Sequence, residues 1–171
     1  LDDRTPEGRV CIPGHVIEAM WFLVDVFADD PARRDRIRRC CDLVRRHLEA
    51  GWDEQFGGLR LALDVRGREP VGWQRADCKP WWAQVEALVA TAYAWERTGQ
   101  AWCMEWHSRI RDYAFSHYPV AAGEWRQWLD RRGRPAPSAA LPVKDPFHLP
   151  RGLLMAAAAL DRGVARMGDK A

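Results

Sequence analysis

Leu63-Asp64-Val65-Arg66-Gly67-Arg68 returns as Leu129-Asp130-Arg131-Arg132-Gly133-Arg134, five identities in six positions at an offset of 66 residues. The same offset carries His15 to Trp81, and 67 residues more reach His148. Each of these three positions follows a proline or glycine (Pro13-Gly14, Pro80, Pro146-Phe147) and opens a helical pattern. Shared segments and shared helix starts together mark an internal repeat, and a period of this length is a structural unit that stacks on its own copies.

The unit reads as helix, helix, then a short hairpin. In the first copy Ile17, Met20, Trp21, Val24 and Phe27 recur at helical spacing from His15 onward. Asp30-Pro31 then supplies an N-cap and a proline suited to the first helical position. Ile37, Cys40, Cys41, Val44 and Leu48 form one stripe of the next helix, and its arginines lie mostly off that stripe as a solvated outer face. Gly51 and Gly57-Gly58 end it, and residues 59–63 alternate as an expected strand. In the second copy residues 81–96 are apolar almost all round, which predicts a buried helix. Trp102, Trp106, Ile110 and Tyr113 stripe the helix after it, and Gly123 with the alternating residues 124–128 begins the second hairpin. A third buried helix is expected from Leu149-Pro150 to about Arg166.

Buried and half-exposed helices alternating in pairs predict an all-α fold, an α/α toroid with an inner ring wrapped by an outer one. A closed ring takes about six such pairs, and this chain supplies roughly two and a half. The expectation is one domain over residues 1–171, about half of an (α/α)6 barrel with short β-hairpins between helix pairs.

Composition excludes several classes. A formal charge of +2 gives little attraction for nucleic acid or an anionic membrane, and no apolar run is long enough to span a bilayer. The charged start, Leu1-Asp2-Asp3-Arg4, lacks a secretory pattern. Five cysteines without a C-x-x-C pair fit reduced thiols better than disulfides or zinc, so a cytoplasmic protein is expected. Ten tryptophans are the outlier, read as core packing or as flat walls for a ligand such as a sugar ring.

In a toroid the inner helices run in the same direction, so their N-termini meet at one mouth. That gathers His15 and Glu18 from the first, Trp81, Trp82, Gln84 and Glu86 from the second, and His148 and Arg151 from the third. Gln84 and Glu86 are polar groups on an otherwise apolar helix and need partners. His47, His107 and His117 fall on outer helices and read as surface residues. Two imidazoles suit paired proton transfer, whereas two carboxylates suit glycoside hydrolysis, and the mouth holds both.

At these residues the chain resembles the N-acylglucosamine 2-epimerase (renin-binding protein-like) family. The matching segments are Pro13-Gly14-His15-Val16-Ile17-Glu18, Gly51-Trp52-Asp53 to Gly57-Gly58-Leu59, and Lys79-Pro80-Trp81-Trp82-Ala83-Gln84-Val85-Glu86-Ala87. Gly123-Glu124-Trp125, Leu129-Asp130-Arg131 and Lys144-Asp145-Pro146-Phe147-His148-Leu149-Pro150-Arg151 follow in the family's order. The resemblance implies an (α/α)6 barrel that performs 2-epimerisation of an aldose or the related aldose–ketose isomerisation. It assigns His15 and His148 as acid and base, and Glu18, Trp21, Lys79, Trp81, Trp82, Gln84, Glu86, Glu124 and Arg151 to the sugar site. It implies neither a metal nor a redox cofactor, and it places the chain in the C-terminal half of a longer protein.

Two rivals remain at this point. One is a glycoside hydrolase on the same toroid with Glu18, Glu86 or Glu124 as acid and base; the other is a non-catalytic half-barrel that binds a sugar or a protein. The expected partners are a small sugar and, because half a ring leaves an edge, either a second copy or the missing N-terminal half; nucleic acid and membrane are not expected.

Overall fold

A computed structural model describes residues 2–137 and 147–168. Its helices are α1 (Pro6–Arg9), α2 (Pro13–Val26), α3 (Arg34–Gly51), α4 (Trp81–Thr98), α5 (Ala101–His117) and α6 (His148–Gly168). Four two-residue strands accompany them: β1 (Val10–Cys11), β2 (Leu63–Asp64), β3 (Lys79–Pro80) and β4 (Trp128–Leu129). Lys144-Asp145-Pro146, at the start of the last matching segment, lies outside the described residues.

The helices α2, α4 and α6 form the inner row, with α4 packed against both others; α3 covers α2 and α5 covers α4. The sequence accounts for this order. Every residue of α4 from Ala83 to Ala94 is buried, as its apolar circumference requires, whereas α3 buries the stripe Ile37, Cys40, Cys41, Val44 and Leu48 with Gly51 at its end. Asp30 caps as expected, its side chain accepting from the Ala32 amide at 2.9 Å, but the turn it starts is a 3-10 helix, Pro31–Arg33, that leads into α3. Gly99, with φ +66°, closes α4 in the left-handed conformation.

The expected hairpins take another form. Residues 59–63 are not one strand. The Gln84 side chain takes both backbone groups of Leu59, accepting from its N–H at 3.0 Å and donating to its carbonyl at 3.1 Å. The Leu61 and Ala62 amides go to Cys78 and Ala76. With those groups committed, only Leu63–Asp64 remains to pair, and it pairs antiparallel with β1, the strand ahead of α2. Likewise β4 pairs with β3, ahead of α4. Each little sheet therefore ties the start of an inner helix to the end of the outer helix's return loop, closing a whole repeat.

The duplicated hexapeptide is the same turn twice. Asp64 Oδ1 accepts from the Arg66 amide at 2.8 Å and Asp130 Oδ1 from the Arg132 amide at 2.9 Å. Gly67 and Gly133 follow at φ +67° and +80°, a conformation open to glycine. The periodicity read from six letters is thus a repeated Asx turn at the exit of β2 and of β4.

Among the described residues the inner row is open at both ends. Helix α6 meets α4 through Gly152, Ala156, Ala159 and Gly163, and turns Leu154, Val164 and Met167 to solvent; α2 exposes Phe22, Leu23 and Val26. The apolar circumference of residues 149–160 predicts burial on all sides, and one side is bare. Among the described residues no helix is long and apolar enough to cross a membrane.

Candidate active site

Pro13 sets the first turn of α2, where its missing N–H costs nothing. Gly14 follows because the helices touch there: a Cβ on it would lie 2.6 Å from Trp82 Cζ3 and 2.9 Å from Ala83 Cβ. This contact seats the His15 ring on the Trp82 indole, with centroids 4.8 Å apart and planes 23° from parallel. Glu18 and Trp21 lie at i+3 and i+6 of the same helix face. The Trp21 indole N–H donates to Glu86 Oε2 at 2.7 Å.

Glu86 is the hub. It sits on the buried face of α4 with no exposed surface, so its carboxylate must be satisfied by protein. Besides Trp21 it binds two groups from the first turn of α6: His148 Nδ1 at 2.7 Å and Arg151 Nη2 at 2.5 Å, both on Oε1. Arg151 also lies 4.0 Å from the Phe147 ring centroid and 5.2 Å from that of Trp21. The His148 ring stands 5.9 Å from Trp82 and 6.4 Å from Trp81, edge-on to the latter. One indole, Trp82, therefore touches both imidazoles.

The charges follow from this packing. Partial burial lowers the His15 pKa below the usual histidine value, and a charge on His148 lowers it further. Burial and the neighbouring Glu86 carboxylate raise that of Glu18, opposed by His148 and Arg151. An ionised carboxylate only accepts hydrogen bonds, so the contact with Glu86 puts a proton on His148 Nδ1. Glu18, Glu86 and His148 each bring an oxygen or nitrogen within 4.8 Å of the others, close enough to gather round a cation. Arg151 already holds the positive charge at that spot.

His15, Glu18, Trp21, Trp81, Trp82, Glu86, His148 and Arg151 thus come together, but three residues assigned by the resemblance stand elsewhere. Lys79 is fully buried, donating to the Arg131 carbonyl and lying 3.4 Å from Asp53 Oδ2; burial lowers its pKa against the pull of Asp53. Gln84 is occupied by Leu59 and the Pro80 carbonyl. Both residues hold the return loops in place. Glu124 is exposed on the loop after α5. His107, read as a surface residue, is buried and bonds Thr91 Oγ1 at 2.9 Å. The sequence reading also passed over Asp53, which joins Lys79 to Arg131; its place in the G-W-D segment ahead of paired glycines was the available signal.

Residues 2–150 match the family described as N-acylglucosamine 2-epimerase (GlcNAc 2-epimerase). The N-acylglucosamine 2-epimerase of Bos taurus is 30% identical over 162 residues, covering 94% of this chain and 38% of its own length. That of Homo sapiens is 32% identical over 152 residues, 86% of this chain and 35% of its own. The chain thus spans little more than a third of these relatives. A D-mannose isomerase superposes with a TM-score of 0.70 at 18% identity, over 91% of this chain and 38% of that one. A cellobiose 2-epimerase from Bacillus thermoamylovorans B4167 does so at 0.67 and 23%, over 90% and 38%. These two likenesses establish the α/α-toroid fold, and the match over residues 2–150 establishes that the chain belongs to the N-acylglucosamine 2-epimerase family.

Proposed function

We propose that residues 1–171 form the C-terminal half of a carbohydrate 2-epimerase or aldose–ketose isomerase, with His15 and His148 as its acid–base pair. The observation that carries this reading is the pair of imidazoles on one indole, one of them gripped by the buried Glu86. His15 is the group set to be neutral and so to accept a proton. In this reading His148, held through Nδ1 by Glu86, is the group that returns the proton.

The chemistry needs little else. The C2–H of an open-chain aldose is acidic because it adjoins the C1 aldehyde. His15 takes that proton and its electron pair becomes the C1–C2 double bond of an enediolate, with negative charge on the C1 oxygen. Arg151 and the N–H groups at the helix starts supply positive potential for that charge. Return of a proton from His148 to the opposite face of C2 inverts it; delivery to C1, with the O2 proton passing to O1, gives the ketose. The sugar partner, the cytoplasmic setting and closure of the ring by a second copy or an N-terminal half belong to this proposal.

The hydrolase alternative needs two carboxylates flanking a glycosidic oxygen. Glu86 is committed to Trp21, His148 and Arg151 and Glu124 is exposed on a loop, which favours the histidines. The test is NMR of aldoses in D2O with a protein carrying the whole ring. Deuterium should enter C2 as epimer or ketose appears. His15→Asn and His148→Asn should each slow this roughly 10²-fold or more while leaving the fold intact. Full exchange in either variant, or glycoside cleavage without exchange, would refute the two-histidine reading.

A further inference from the structure

Away from the histidines, a cavity of about 490 Å3 opens between the C-terminal part of α3 and the β1–β2 pair. Arg46 and His47 line it from α3; Arg60, Leu63, Val65 and Arg68 line it from the return loop and β2. The volume suits a small organic molecule.

Its charge is lopsided. Arg46 and Arg68 are exposed, and Arg68 helps to hold the Asp64 carboxyl below its usual range. Arg60 shares one nitrogen with Glu69 Oε1 at 3.1 Å, while its Nε is buried without a hydrogen-bond partner. Of the two acidic residues at the rim, Asp64 is paired chiefly with Arg9 at 2.9 Å and more weakly with Arg68, and Glu69 is a mostly exposed side chain. His47 Nδ1 contacts the Leu43 carbonyl at 2.7 Å. A carbonyl only accepts, so Nδ1 carries the proton and Nε2 is left for another partner. Three guanidiniums and a ring nitrogen thus line one hollow with two apolar side chains.

We infer that this cavity is a second binding site, for a small organic phosphomonoester whose phosphate meets Arg46, Arg60 and Arg68 and whose body lies on Leu63 and Val65. Guanidiniums pair with phosphate oxygens through two N–H groups at once, which carboxylates at a surface rarely match in charge. The site would not be remote in effect. Cys11, on its wall, ends β1 four residues before His15, so an occupant that braces β1 against β2 also braces the start of α2. The inference is independent of the reaction proposed above.

The test is calorimetric titration of this chain with phenyl phosphate, with inorganic phosphate and phenol in parallel, followed by amide NMR. Phenyl phosphate should saturate at one per chain and bind at least several-fold tighter than either fragment. The amides of Cys11, Leu63 and Val65 should shift. Arg46→Gln and Arg68→Gln, both exposed and so tolerated by the fold, should each weaken binding about tenfold. Arg134→Gln, on the other repeat, should leave it unchanged. No saturable binding, equal affinity for inorganic phosphate, shifts that map elsewhere, or equal loss in the Arg134 variant would each overturn the site.

Discussion

Glu86 decides more than any other side chain. It ties three inner helices together, since Trp21 comes from α2, Glu86 from α4, and His148 and Arg151 from α6. Replacing it with Gln keeps an acceptor for Trp21 but leaves the His148–Arg151 pair without its anion. Glu86→Gln should lower turnover roughly 10²-fold through lost orientation of His148, and cost on the order of 3 kcal/mol, the usual result of breaking one side of a buried ion pair. Turnover and denaturant midpoints measured together check this; a normal rate would make Glu86 a structural residue only. His15 carries the pH dependence. Its pKa is lowered first by burial, so the acid limb for proton abstraction should lie below the ordinary histidine value of about 6.5. Below that limb His15 is protonated and cannot accept. The neighbouring His148 lowers that pKa further. Trp82→Leu uncovers the ring and should move the limb upward with a lower kcat; a raised KM with an unmoved limb would mean Trp82 is a platform for the sugar instead. The meeting of His15 and His148 beside Trp82 was legible in the sequence because the repeat put each at the start of an inner helix. The contacts of Lys79 and Gln84 were not legible because their partners are backbone groups of distant loops, Arg131 and Leu59, which no local pattern reveals. His107 was misread for the same reason, its partner Thr91 being on another helix.

At the scale of elements, the close approach of α6 to α4 sets the geometry of the site. Gly152 and Gly163 are there because a Cβ would lie 2.3 Å from Val85 Cγ1 and 2.4 Å from Trp95 Cζ3. Gly152 is one residue beyond Arg151, so any displacement of α6 here moves His148 and Arg151 off Glu86. Gly152→Val should destabilise the protein by about 1–3 kcal/mol, the range for overpacking, and should lower turnover well beyond what its melting shift predicts. Gly163→Val, a similar clash three turns away beside Trp95, should cost comparable stability with less effect on rate. Equal rate losses in the two would separate the site from this packing. The helices and their inner or outer character were readable because periodicity records burial. The strands were not: each is two residues long, and its partner lies across a whole repeat, beyond any alternation pattern. The hexapeptide still gave the period, since an Asx turn with a left-handed glycine demands the same residue types wherever it is built.

For the whole molecule, the open row of inner helices has an energetic consequence. On one flank α2 shows Val26 at 71% exposure beside Phe22 and Leu23; on the other α6 shows Leu154 at 72% with Val164 and Met167. The α2 strip follows the spacing of one helix face, while the α6 strip continues from Leu154 through the exposed Ala157 and Ala158 and is separated from Val164 and Met167 by Asp161 and Arg162. Soluble monomers seldom leave apolar patches beyond roughly 300–600 Å2 uncovered. In a closed toroid another inner helix would lie on each strip. A chain of 19.6 kDa with both strips bare should associate, and light scattering at low micromolar concentration should give a particle heavier than one chain. Val26 and Leu154 face away from the Glu86 cluster, so Val26→Lys with Leu154→Glu should reduce the association without loss of helix by circular dichroism. The two charges differ in sign, which also tests the geometry: if the strips meet each other between copies, this variant should keep some pairing that high salt removes. Val26→Lys with Leu154→Lys should keep none. A monodisperse monomer that melts cooperatively and binds no hydrophobic dye would show that the strips need no cover, and the reading of this chain as part of a ring would fail with them.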